Sequence, residues 1–349
     1  MHSAFRSTKS SLAFCGLLAF LLGLPVIVSW MGLPPREQAY SSVSFHSGAA
    51  GKVVENIYND PQDADILFLG ASLVRRGILD RRIQDALSSH LGRPAHVVVL
   101  SMNWAGADLT YFLLRDYLNR HHARLVIWNQ PEPDAYKDDP HIQAYRWMRY
   151  GEYNDAFAGL SPYSRVQTYA EMVLGGPREL LAKLRPNLLS DQDKSDWEGE
   201  DIRNNIRTGY RHAQFVRDNL PRDSIRNASL MPVTSSLLRA AGPFPHGYQL
   251  HFLRALAAVA HQKKSNLVLL HIPTDSEYGE TTIPEIADWS QLLGPSYKVI
   301  GVPSSMLFSG LGRDRFLHFY SDVHVNDNGR EVFTESIIPP VLEAYDESK

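Results

Sequence analysis

The chain has 349 residues and a formal net charge of −3, with no dense run of Lys and Arg. That length suits one large α/β domain, or one domain carrying a big insertion, and the weakly acidic balance argues against a nucleic-acid partner. The single cysteine, Cys15, excludes intramolecular disulfides and cysteine-rich zinc sites.

Residues 1–10 carry Arg6 and Lys9, and Ser11 to Gly32 then contains no charged residue. A helix of that length and apolarity is expected to span a bilayer. The basic flank keeps the N-terminus in the cytoplasm and exports the rest. No small-x-small cleavage site follows the apolar run, so the segment reads as an uncleaved signal anchor rather than a removed signal peptide. Residues 33–63, with Pro34-Pro35, read as a stalk leading into a domain over 64–349.

Ile66-Leu67-Phe68-Leu69 is a continuous apolar run, the pattern of a strand buried on both faces of a parallel sheet. Gly70-Ala71-Ser72 turns the chain, and Ile78, Leu79, Ile83 and Leu87 recur at helical spacing after it. A serine at such a turn sits at the carboxyl end of the sheet, where open α/β folds place ligands. Ser72 is therefore either a nucleophile or a helix cap.

His96 to Leu100 and Arg124 to Trp128 are further strands, separated by a helical stripe over Leu109, Phe112, Leu113, Tyr117 and Leu118. Their ends deliver Asn103-Trp104-Ala105-Gly106-Ala107 and Asn129-Gln130. This βαβ rhythm implies a parallel sheet. It breaks from about Pro131 to Pro245, a stretch without a strong strand signal that reads as a helical insertion, a candidate lid, at the sheet's functional edge. Arg203, Arg207 and Arg211 share one helix face there, as a solvated stripe or a contact for an anionic polymer. The rhythm resumes with a helix from Gly247, a fourth strand over Asn266 to Ile272, a helix over Ile283 to Leu293, a fifth strand over Tyr297 to Ile300, and a last helix from about Arg330 to Tyr345.

Acyl chemistry needs an alcohol, a base to deprotonate it and donors for the oxyanion. Ser72 supplies the first and His324 the second, since imidazole titrates near neutrality. Asp322, two residues earlier, can orient the ring and stabilise the imidazolium, or simply shape a turn. The Ser72 amide, a backbone amide near Gly106 and the Asn129 side chain can receive the oxyanion.

The order Ser72, Gly106, Asn129, His324 resembles the SGNH (GDSL-like) hydrolase superfamily. Phe68-Leu69-Gly70-Ala71-Ser72-Leu73 matches its first block, Asn103 to Ala107 its second, Trp128-Asn129 its third, and Ser321 to Asn326 with Gly329 its last. The family's usual Gly-Asp-Ser is Gly70-Ala71-Ser72 here, and its usual Asp-x-x-His is Asp322-Val323-His324. That shorter spacing is similar to the membrane-anchored and periplasmic branches that modify envelope polysaccharides. The resemblance implies a three-layer α/β/α sandwich, flavodoxin-like in wiring, with the helical insertion and N-terminal transmembrane helix added. It also implies a serine esterase or O-acyltransferase working through an acyl-serine, without a cofactor or metal. Its expected partners are an acyl donor, a glycan acceptor and a membrane-bound O-acyltransferase that exports the acyl group.

Two other classes stay open: a non-catalytic glycan-binding or assembly subunit on the same fold, and a secreted lipase or esterase. Several residues also have rival readings. His271, with Asp275 nearby, is a second histidine at a strand end, structural or catalytic. His318, Asp322 and His324 could form a metal set, but no HExxH pair or clear further ligand accompanies them. Trp104, Trp128 and the Tyr145-Arg146-Trp147 cluster could stack on sugar rings or pack in the core.

Overall fold

A computed structural model describes residues 7–30, 49–102, 105–130, 157–170, 173, 238–239, 247–284, 288–321 and 323–348. Five strands form one parallel sheet: β1 (Ala64–Gly70), β2 (Val97–Ser101), β3 (Ala123–Asn129), β5 (Asn266–Leu270) and β7 (Val299–Ile300), in the order β2-β1-β3-β5-β7. The continuous apolar runs have the cause expected of them, because alternate side chains enter two separate cores. Leu67, Leu69, Val98, Leu100, Val126 and Trp128 face one core, while Ile66, Phe68, Val97, Val99, Leu125 and Ile127 face the other. Pleated strands send successive side chains to opposite faces, so both faces of this sheet must be covered.

One face is covered by α5 (Ala107–Leu118) and α6 (Gly247–Gln262), where Phe252 meets Phe112 edge-on at 5.6 Å and Tyr248 at 4.8 Å. The other is covered by α4 (Asp80–Leu91) and α10 (Asp327–Glu347), through Ile83, Leu87, Phe333, Ile337 and Val341. Other helices among the described residues include α1 (Thr8–Trp30), α2 (Ala49–Val54), α3 (Ser72–Gly77), α7 (Ser290–Leu293), α8 (Ser304–Leu307) and α9 (Arg313–Leu317), and residues 162–170 are helical too. Two small pairs are also present among the described residues: β4 (Leu238–Arg239) lies parallel to β6 (Ile283–Pro284), and β8 (Tyr320–Ser321) antiparallel to β9 (His324–Val325).

Three expectations need correction. Residues 49–63 are not stalk: α2 and the π-helical turn Glu55–Asn59 bury Val53 and Ile57 in the α5/α6 core. Val53, Ile57 and Tyr58 recur at helical spacing and give that segment an apolar stripe to bury. The helix expected over Ile283 to Leu293 is instead β6 followed by the single turn α7. Pro284 disfavours helical backbone at Ile283, and the β-branched Thr281-Thr282-Ile283 suits extended chain. The insertion, expected without strands, contributes β4. The rest of it, apart from 157–170 and 173, lies outside the described residues, including Tyr145-Arg146-Trp147 and the three arginines.

Helix α1 exposes Leu12, Phe14, Leu17, Leu18, Phe20 and Leu22, and the Tyr169 hydroxyl donates to the Leu22 carbonyl. Among the described residues no helix is long and apolar enough to cross a membrane.

Candidate active site

The strand order reverses direction at β1: β2 lies on one side of it, and β3, β5 and β7 follow on the other. Such a switch point opens a crevice at the carboxyl ends of the central strands. Ser72 leaves β1 at that end, and Asn129 is the last residue of β3. Ala71, not Ser72, holds the N-cap position of α3 and makes no side-chain cap. The Ser72 hydroxyl is directed elsewhere: Oγ lies 2.8 Å from Nε2 of His324, a residue 252 positions later in the chain.

His324 enters through the β8–β9 hairpin, in which it pairs with Ser321. Its ring is buried, and Nδ1 has no hydrogen-bond partner among the described residues. Burial pushes its pKa down to about 3, with the positive charges of Arg76 and Arg75 acting the same way. The imidazole is therefore neutral at pH 7 and able to accept a proton from Ser72 if Nδ1 carries the ring hydrogen. Asp322 lies outside the described residues, as do Asn103 and Trp104.

Helix α10 joins the two halves of this pair. The Asn326 side chain accepts from the Asn328 and Gly329 amides and so caps α10. Its Nδ2 donates to the His318 carbonyl at 2.6 Å, holding the hairpin that carries His324. Further along α10, Arg330 donates from Nε and Nη2 to the Ile78 carbonyl. Thr334 Oγ1 donates to the Gly77 carbonyl at 3.3 Å and accepts from the Leu79 amide at 3.1 Å. These bonds fix the exit of α3, the helix that begins with Ser72. Replacing Thr334 with Val keeps the shape but strands two backbone groups, so Thr334→Val is expected to cost about 1–3 kcal/mol in urea unfolding.

Asn129 is buried, and its Nδ2 donates to the Gln130 carbonyl at 3.0 Å. It abuts the β1 turn so closely that a Cβ on Gly70 would fall 2.9 Å from Asn129 Cβ and 2.7 Å from Val74 Cγ2. Gly70 is thus required by the approach of β3 to the turn that carries Ser72. Gly70→Ala is expected to destabilise the fold by about 1–3 kcal/mol and to displace Asn129 or α3, with loss of any Ser72 chemistry. Thermal melting and reactivity measured on the same preparation check both. Gly106 is at the N-cap of α5 at the end of the β2 loop, beside Gln249, whose Oε1 accepts from the Ala107 amide at 3.0 Å.

Trp128 and His271 each have structural partners. Trp128 is buried edge-on to Trp289 at 5.5 Å and belongs to the core, not to a sugar platform. His271 pairs with Glu277 at 2.9 Å rather than with Asp275, the acidic neighbour expected from the sequence. Glu277 is placed by a capping box with Thr274, and a Thr-x-x-Glu spacing after the strand was the available signal. Burial raises the Glu277 carboxyl pKa, but the bonds from His271 and Thr274 outweigh it and hold the group below the usual carboxylate range.

The site thus contains a serine at a strand-to-helix turn, a neutral buried histidine on its hydroxyl and an asparagine amide at the adjoining strand end. That set can deprotonate an alcohol and stabilise developing negative charge. No protein-family model matches the chain, and no curated protein matches it significantly.

Proposed function

We propose that this protein is a membrane-anchored, extracytoplasmic serine esterase or O-acyltransferase of the SGNH type, acting on acyl groups (acetyl foremost) of an envelope polysaccharide. The observation that carries the reading is the 2.8 Å approach of Ser72 Oγ to His324 Nε2 at the switch point of a parallel sheet. The strand order is that of flavodoxin-like sheets, with helices on both faces, which supports the three-layer arrangement.

In this mechanism Ser72 Oγ attacks the ester carbonyl while its proton passes to His324 Nε2. The oxyanion is received by the Ser72 amide, a backbone amide at Gly106 and the Asn129 side chain. His324 then protonates the leaving alcohol, and an acyl-serine remains. Water as the second acceptor gives hydrolysis; a sugar hydroxyl gives transfer. In this proposal Asp322 is the residue assigned to orient the ring, and His324 Nδ1, which has no hydrogen-bond partner among the described residues, is the nitrogen it would serve. That carboxylate would hold the ring's orientation and stabilise the imidazolium as the proton arrives.

The anchor rests on the uncharged run from Ser11 to Gly32 and on the apolar side chains that α1 exposes, which water solvates poorly. A tethered domain suits relay of an acyl group from a membrane-bound donor partner. The test is turnover of an acetyl ester by the full-length protein, with and without candidate envelope glycan. Acetylated glycan establishes transfer and free acetate alone establishes hydrolysis. A folded protein that binds glycan and yields neither product supports the non-catalytic platform instead.

A further inference from the structure

Four side chains behind Asn129 form a hydrogen-bonded chain whose polarity is fixed at one end. The Trp289 indole Nε1 donates to Gln130 Oε1 at 3.3 Å. An indole can only donate, so the Gln130 amide must turn its oxygen towards Trp289 and its nitrogen towards His271. Gln130 Nε2 lies 3.3 Å from His271 Nδ1. That nitrogen must then hold the lone pair, which leaves the ring hydrogen on Nε2, where Glu277 Oε2 accepts it at 2.9 Å. Glu277 Oε1 in turn accepts from the Thr274 amide at 3.0 Å. Each direction follows from the one before it, and Gln130 and His271 are both buried.

This chain ends on the asparagine of the site. The Gln130 amide donates to the Leu270 carbonyl at 2.9 Å, which ties the end of β3 to β5. The Gln130 carbonyl accepts from Asn129 Nδ2 at 3.0 Å. With the Gln130 peptide fixed by its main chain and its side chain, one hydrogen of the Asn129 amide is committed to that carbonyl. The orientation of the amide is thereby set, and its second N–H is aimed by the same contact.

We infer that Trp289, Gln130, His271 and Glu277 are positioning residues that hold the Asn129 side chain in the orientation an oxyanion donor needs. The inference rests on the proposed acyl chemistry, in which Asn129 is one of the donors. It assigns His271 a role as a link that accepts from the Gln130 amide and donates to the Glu277 carboxylate, not as a base. A glutamine at position 271 could fill the same link, because its oxygen can accept from Gln130 and its NH2 can donate to Glu277.

The experiment compares kcat and KM for p-nitrophenyl acetate in the full-length protein and in His271→Leu, His271→Gln and Trp289→Phe. His271→Leu is expected to lower kcat roughly ten- to a hundredfold, as sub-ångström misplacement of a donor does, with KM within about twofold. His271→Gln restores kcat to within about threefold of wild type, since it keeps both hydrogen bonds. Trp289→Phe removes the indole donor together with part of the buried ring, so it carries the test, with a thermal melt beside it, if His271→Leu does not fold. It is expected to lower kcat several-fold at unchanged KM.

Wild-type kcat in folded His271→Leu or in Trp289→Phe would overturn the inference. So would a His271→Gln variant as impaired as His271→Leu, because that result would require the imidazole itself. A wild-type protein that neither turns over the ester nor is labelled at Ser72 would remove the catalytic reading and this role together. An active wild type with unaffected variants would remove this role alone.

Discussion

His324→Ala is expected to slow formation of the acyl-enzyme by roughly a hundred- to ten-thousandfold while the domain stays folded. The loss follows from the 2.8 Å contact to Ser72: without the imidazole, the hydroxyl must give its proton to water as it attacks. The fold survives because the hairpin is held by other groups. Asn326 bonds the His318 carbonyl and caps α10, and the Asn326 amide donates to the Phe319 carbonyl at 2.8 Å. Stopped-flow release of p-nitrophenol measures the acylation step, and a thermal melt on the same sample reports the fold. Unchanged acylation in a folded variant removes His324 from the mechanism.

The same histidine should make the protein sensitive to acid. Its folded pKa is about 3 against an ordinary value of 6.5, lowered by burial and by Arg76 and Arg75. Between those two values the unfolded chain holds a proton that the folded chain does not. Stability from keeping the ring neutral is therefore fully present above pH 6.5 and is lost as the pH falls towards 3. The slope from this one group is at most about 1.4 kcal/mol per pH unit inside that window. Carboxylates add their own acid dependence, so the informative comparison is the urea midpoint of wild type and His324→Gln as a function of pH. The variant should lose less stability on acidification, and parallel curves would show that the ring is not held neutral by the fold.

Much of the architecture is legible in the sequence because it depends on local pattern. Runs such as Ile66-Leu67-Phe68-Leu69 and Leu125-Val126-Ile127-Trp128 leave no polar face, so only a strand covered on both sides can bury them. The Ser72 turn is legible for the same reason, as the point where such a run stops at glycine and a helical stripe begins. The partnership of Ser72 with His324 is not local. It is suggested only by the order of the four blocks, and its geometry depends on α10 fixing both the hairpin and the exit of α3.

Each misreading has its own physical origin. Ile283 to Leu293 has enough apolar residues for a helix, but Pro284 keeps the preceding Ile283 in extended backbone. Residues 49–63 look polar and proline-flanked, yet Val53 and Ile57 pack into the core against a helix far ahead in sequence. Asp275 is the nearer acidic residue to His271, but the capping box after β5 turns Glu277 towards the ring instead. The chain from Trp289 through Gln130 to His271 joins residues from β3, β5 and the start of α7, and no short-range pattern announces it.

The most direct measurement is covalent labelling of the full-length protein with a fluorophosphonate, read by peptide mapping, in wild type and in Ser72→Ala. The account predicts one modified peptide, bearing Ser72, and a folded Ser72→Ala protein that takes up no label. Modification at a different serine, or a folded wild type that stays unlabelled, would contradict it.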